Sequence, residues 1–176
     1  MYYVIQVQTG KEQKVIEDIK KFKSNEVDFD VFAPKRMERR KYKNEWKDVE
    51  VRCFPGYLFV ETDNATQLWK ELSYVPDFTR LLGREMGSEN FLPLNEDESR
   101  VIDILYNADT GRVTPIADIV VEEGDNIRVV SGPLMGQEGI IKKVNLHKRE
   151  VTILISLAGR AVEPKVGINI ITKIDY

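Results

Sequence analysis

Residues 54–60 read Phe54-Pro55-Gly56-Tyr57-Leu58-Phe59-Val60. A Pro-Gly turn signal followed by an unbroken apolar, aromatic and β-branched run predicts a buried strand. Alternate strand residues point to opposite faces, so Tyr57 and Phe59 share one face and Leu58 and Val60 the other. A one-sided sheet needs a single apolar face, whereas this strand has two and must be covered twice. Two readings stand side by side. Either helices sandwich the strand, or Tyr57 and Phe59 border a surface that a partner covers.

Upstream, Tyr2 to Gln8 is β-rich and reads as a first strand. Thr9 with Glu12 has capping-box spacing, and Val15, Ile19 and Phe22 recur at helical spacing through Lys23. Phe29 to Ala33 alternates as a second strand. From Pro34 the texture changes: Lys35-Arg36-Met37-Glu38-Arg39-Arg40-Lys41-Tyr42-Lys43, a turn at Asn44-Glu45, then Trp46 to Arg52. This predicts a projecting hairpin, charged on both arms, with Tyr42 and Trp46 stacked across its tip. The charges serve either as a solvated edge or as a phosphate-contacting arm with interleaved aromatics.

Downstream of Val60, Asn64 and Gln67 give a cap signal, and Leu68, Trp69 and Leu72 mark a short second helix. Phe78 to Leu82 reads as a strand. Asn95 caps a third helix with Val101, Ile102 and Leu105 as its apolar face. Residues 1–106 therefore read as an α+β domain. Residues 107–121, with Gly111, Pro115 and several Asp, read as a linker. Residues 122–176 hold five short strands broken by glycines, the pattern of a small β-barrel.

The chain has 176 residues, 42% hydrophobic and 31% charged, with a formal charge of −3. No apolar run approaches the roughly 20 residues of a membrane span. Met1 to Val7 has no basic region or cleavage site of a secretory signal, so a cytoplasmic protein without membrane attachment is expected. The small net charge hides asymmetry: residues 34–52 hold eight Lys/Arg against four Asp/Glu, and residues 84–121 hold three against eight. A local basic patch on an acidic chain suits phosphate.

Catalytic signals are weak. His147 is the only histidine, and Cys53 the only cysteine. No carboxylate cluster has metal-ligand spacing, and Gly132-Pro133-Leu134-Met135-Gly136 lacks the Gly-Lys-Ser/Thr ending of a phosphate-binding loop. A binding protein without metal or cofactor is expected, rather than an enzyme.

Gly124-Asp125, Ile127 to Val130, the turn Ser131 to Gly139 and Ile140 to Val144 resemble the KOW motif. Gly159-Arg160 resembles the Phe-Gly-Arg loop that closes such domains in NusG proteins. Tyr3-Val4, Gly10-Lys11-Glu12, Phe54-Pro55-Gly56-Tyr57 and Val75-Pro76 before Leu82-Gly83 resemble the NGN domain of NusG. The resemblance covers almost the whole chain in the right order. It implies an N-terminal NGN α/β sandwich, an antiparallel sheet with flanking helices, followed by an SH3-like KOW barrel.

The resemblance further implies a monomeric transcription elongation factor that docks on the clamp helices of RNA polymerase around Phe54, Tyr57 and Phe59. Non-template DNA is a further candidate partner, but Tyr74-Val75-Pro76-Asp77 stands where housekeeping relatives carry Asn-Thr-Pro-Gly. Housekeeping NusG recruits Rho or a small-subunit ribosomal protein through exposed phenylalanines of its KOW domain. Leu134, Gln137 and Ala158 occupy those positions, so these two partners are not expected. The chain looks more like the specialised paralogues, among them the LoaP antiterminators, which recognise an RNA hairpin in the nascent leader. On that likeness Arg36, Arg39, Arg40, Lys41, Lys43, Lys142, Lys143, His147, Lys148 and Arg149 are the RNA-binding candidates. A housekeeping NusG remains the alternative.

Overall fold

The computed structural model describes residues 1–25, 28–77, 79–81, 92–123 and 126–171. In chain order the elements are β1 (Tyr2–Val7), α1 (Glu12–Phe22), β2 (Asp30–Phe32), β3 (Lys35–Tyr42), β4 (Glu45–Arg52), β5 (Tyr57–Glu61), α2 (Ala65–Leu72), β6 (Thr79–Leu81) and α3 (Glu96–Leu105). They continue with β7 (Val113–Thr114), β8 (Ala117–Val121), β9 (Ile127–Ser131), β10 (Ile141–Asn145), β11 (Glu150–Ile153), β12 (Ile155–Leu157), β13 (Arg160–Val162) and β14 (Lys165–Ile170). The expected strand over Phe78 to Leu82 is β6; Phe78 and Leu82 lie outside the described residues, as do Gly124 and Asp125. The chain divides into two compact units, residues 1–34, 54–100 and 157–160, and residues 35–53, 101–156 and 161–176.

In the first unit the strand order is β2-β5-β1-β6, with antiparallel neighbours, so β5 is interior. One face presents Tyr3, Ile5, Val31, Leu58 and Val60 to Val15 and Ile19 of α1 and Leu68 and Leu72 of α2 in one buried core. The helices hold this face because their apolar residues fall at helical spacing. Asn64 caps α2, its Oδ1 accepting from the Gln67 amide at 3.0 Å. A reciprocal capping box starts α3: Asn95 Oδ1 accepts from the Glu98 amide at 2.9 Å, and Glu98 Oε2 from the Asn95 amide at 3.1 Å.

The Thr9–Glu12 capping box does not form, because Lys11 occupies the cap position and α1 begins at Glu12. Glu12 is instead buried and bridges two turns. Its Oε1 accepts from the Gly56 amide at 2.7 Å and its Oε2 from the Gly10 amide at 2.9 Å. Gly56 adopts φ +82°, and a Cβ there would meet Thr9 Oγ1 at 2.9 Å, so both conformation and space require glycine. Glu12→Gln is expected to destabilise the unit by about 2 kcal/mol, because one of two charge-assisted bonds becomes a donor facing a donor. Urea titration monitored by circular dichroism checks this.

The second unit is β-rich. Its five-stranded half-barrel sheet has the order β10-β11-β14-β8-β9, parallel only between β14 and β8. Residues 107–121, whose composition reads as a linker, contain β7 and β8. Ala117 and Ile119 are buried on alternate positions of β8, a strand period that Pro115 and the neighbouring acids obscure.

The β3–β4 hairpin forms in full register from Lys35↔Arg52 to Tyr42↔Glu45. Its tip, Lys43 and Asn44, has φ of 46° and 70°, the left-handed pair of a two-residue hairpin turn. It belongs to the second unit rather than projecting freely. A Cβ on Gly167 of β14 would lie 2.4 Å from the Met37 carbonyl oxygen of β3, an approach only glycine permits. Tyr42 and Trp46 do not stack across the tip: Tyr42 lies opposite Glu45 and Trp46 opposite Lys41, which sets the two rings on opposite faces.

Candidate functional site

Along β3 a groove of about 500 Å³ opens within the second unit. Its walls come from two charged hairpins more than a hundred residues apart in sequence. Arg36, Glu38, Arg39, Arg40, Lys41 and Trp46 belong to β3–β4; His147, Lys148 and Glu150 come from the β10–β11 turn and β11, with Lys165 from β14. The lining thus carries six cationic side chains, Arg36, Arg39, Arg40, Lys41, Lys148 and Lys165, against the carboxylates Glu38 and Glu150.

Local geometry aims these groups. The Asn145 Oδ1 accepts from the Lys148 amide at 3.0 Å and folds the β10–β11 turn. Arg149 follows in the left-handed region at φ 55°. Its guanidinium lies 5.3 Å from the centre of the Trp46 ring, a cation–π contact that ties the two hairpins together. Arg39 donates to Asp48 at 2.9 Å and to Asn169 of β14, fastening β3 to the sheet. Lys165 donates to Glu150 at 2.7 Å. Glu38 accepts from Arg36 at 2.6 Å and Arg40 at 2.7 Å. Burial pushes the Glu38 carboxyl up, but the hydrogen bonds and positive charge of Arg40 and Arg36 outweigh it and hold the group below the usual carboxylate range. Lys41, His147 and Lys148 form no ion pair among the described residues.

Of the sequence candidates, Arg36, Arg39, Arg40, Lys41, His147 and Lys148 meet in the groove, and Arg149 closes it through Trp46. Lys43 sits at the hairpin tip, 5.7 Å from the Tyr42 ring centre. Lys142 is paired with Glu163 and Lys143 is exposed on β10; neither lines the groove. Sequence reading missed Lys165 and Asn169. Both lie on a strand whose neighbours are apolar, and only the β14–β3 contact brings them to the basic hairpin.

The aromatic strand is a separate feature, in the first unit. Phe59 is 1% exposed, its ring centre 5.9 Å from Phe32 and 5.5 Å from Phe54. Tyr2 meets Phe32 edge-on at 6.3 Å. Phe54 and Tyr57 are half-buried. Phe59 is thus the floor of an aromatic layer with Phe54 as its accessible member, and Tyr57, two residues before Phe59, falls on the same face of the strand. Among the described residues, no group of three or more His, Cys, Asp or Glu is placed to hold a metal ion, and no helix is long and apolar enough to cross a membrane.

Residues 1–103 match the family described as transcription termination factor NusG, and residues 123–156 match the KOW motif. The transcription termination/antitermination protein NusG of Staphylococcus carnosus is 27% identical over 177 residues, spanning 98% of this chain and 95% of that protein. The NusG of Thermus thermophilus is 25% identical over 182 residues, spanning 98% and 97%. A solved structure concerned with domain interaction in Thermotoga maritima NusG is similar in fold, with a TM-score of 0.51 at 22% identity, covering 94% of this chain and 91% of that one. The expected mixed architecture, an N-terminal NGN domain and a β-rich C-terminal KOW domain, is the one observed. With more than half of its length matched, this chain belongs to the NusG family of transcription termination factors.

Proposed function

We propose that this chain is a specialised transcription elongation factor that docks on RNA polymerase through its aromatic strand and holds a structured RNA, as a processive antiterminator does, in the basic groove. The carrying observation is the convergence of residues 36–41 and 147–149 on one groove with Trp46 at its wall. Lys and Arg around an aromatic ring suit phosphates beside an unpaired base, and duplex RNA hides its base edges, so a hairpin with a loop or bulge fits best. The protein works by binding, in the cytoplasm beside the transcription machinery. Domain assignment follows the same reading: residues 1–106 dock on polymerase and residues 122–176 form the KOW domain. Non-template DNA is a lesser candidate, since the Asn-Thr pair of housekeeping relatives is absent. Rho recruitment has weak support: Leu134 is fully buried, and Gln137 and Ala158 supply no aromatic anchor.

Fluorescence anisotropy with the full-length chain tests the RNA half of this reading. The hairpin from the leader of the chain's own operon is compared with a scrambled hairpin of equal length. Lys41→Ala and Lys148→Ala are each expected to weaken binding and to flatten log affinity against log salt by roughly 0.7 for each phosphate no longer neutralised. Equal binding of the leader and scrambled hairpins, or a salt slope unmoved by both substitutions, removes RNA recognition from this groove. Tight Rho binding by the full chain would return the housekeeping role.

A further inference from the structure

Arg36, Glu38 and Arg40 alternate along β3 and stand on one face of the hairpin. One carboxylate joins both guanidinium groups, Oε2 to Arg36 at 2.6 Å and Oε1 to Arg40 at 2.7 Å. The Glu38 side chain is 15% exposed and that of Arg36 13%, whereas Arg40 is 59% exposed. Two guanidinium groups sharing the oxygens of a single anion is the arrangement arginines offer to phosphate. The anion here is the chain's own, set in a groove where two further cations, Lys41 and Lys148, form no ion pair among the described residues, while Arg39 and Lys165 are paired with Asp48 and Glu150. A fixed carboxylate at that place opposes any polyanion, as a built-in repulsive element does in a selective interface.

We propose that the space between Arg36 and Arg40 is a phosphate site, that Glu38 occupies it as an internal phosphate mimic in the free protein, and that displacing Glu38 is what makes the groove selective. This rests on the RNA reading above. A phosphate displaces the carboxylate when neighbouring phosphates meet Lys41 and Lys148 at the same time. A folded RNA presents phosphates in such a fixed array, and a flexible strand does so only at an entropic cost. Glu38 thus penalises flexible RNA more than structured RNA.

The test uses the full-length chain and three probes: inorganic triphosphate, the leader hairpin, and polyuridine of the same length. Glu38→Gln keeps the shape and removes the charge. It is expected to bind triphosphate roughly tenfold more tightly than the native chain, and to gain more on polyuridine than on the hairpin, narrowing their ratio. Arg40→Gln is measured in parallel, since it leaves the Arg36–Glu38 pair in place, and it should weaken hairpin binding severalfold. Unchanged or weaker triphosphate binding by Glu38→Gln overturns the phosphate site. An unchanged hairpin-to-polyuridine ratio overturns the selectivity. If Glu38→Gln fails to fold, hairpin binding untouched by Arg40→Gln overturns the site instead. Tighter triphosphate binding in a chain that takes up neither RNA keeps the phosphate site and removes the RNA reading.

Discussion

Phe59→Ala is expected to cost the first unit roughly 3–5 kcal/mol, enough to unfold much of it at 37 °C. Phe59 is 1% exposed, contacts Phe32 and Phe54, and pairs with Val4 on one side and Phe32 on the other within an interior strand. Removing the ring leaves a cavity that two flanking strands cannot collapse to fill. Tyr57→Ala should behave differently. Tyr57 is half-buried, so the unit stays folded and the effect falls on affinity for RNA polymerase, by at least tenfold if Tyr57 is an anchor of the docking surface. Chemical denaturation of both variants, beside a polymerase pull-down, separates the two roles. A Phe59→Ala protein as stable as the native chain would contradict the buried aromatic floor, and a folded Tyr57→Ala protein with native polymerase affinity would remove the docking surface.

Gly167→Val is the second large effect. Even the first atom of a side chain would sit 2.4 Å from the Met37 carbonyl oxygen, and that atom is backbone in a paired strand. Either β14 or the hairpin must move. The expected loss is roughly 3 kcal/mol, the upper end of the overpacking range, which lowers Tm by about 2–4 °C per kcal/mol in a chain of this size. Because Asn169, two residues on, binds Arg39, the shift should also weaken the RNA binding proposed for the groove. Differential scanning calorimetry and anisotropy on one preparation check both. A variant with native Tm would show that the hairpin does not pack on β14 in solution.

Much of this architecture is legible in the sequence, because local chemistry and global fold agree there. The Asn64 and Asn95 caps, the apolar periodicity of α1 to α3 and the two-faced strand at residues 57–61 all stand where residue chemistry puts them. Three features are not legible, each because a distant partner decides it. Glu12 has the spacing of a cap and is taken instead by the turn at Gly56, across the sheet. The charges of residues 35–52 describe a solvated hairpin, and no local signal says that Gly167 lets it pack on a strand far downstream. Residues 117–121 carry turn-formers on one side and become a strand because β14 and β9 accept them. Both basic segments of the groove could be read; that they share a wall could not, since the Arg149–Trp46 contact depends on where β14 holds the hairpin.

The lateness of β14 shapes how the chain is made. Arg39 and Asn169 lie 130 residues apart, and translation adds roughly 5–20 residues per second. The hairpin therefore leaves the ribosome on the order of ten seconds before the strand that receives it. Over that interval most of the β3 edge away from β4 is unpaired, since β7 reaches only Lys35 and Arg36, and lysines and arginines along such an edge oppose pairing with other chains. The charges that line the finished groove thus also protect its unfinished half. The groove lined by both hairpins is therefore complete only once β14 has been made and has taken up Arg39.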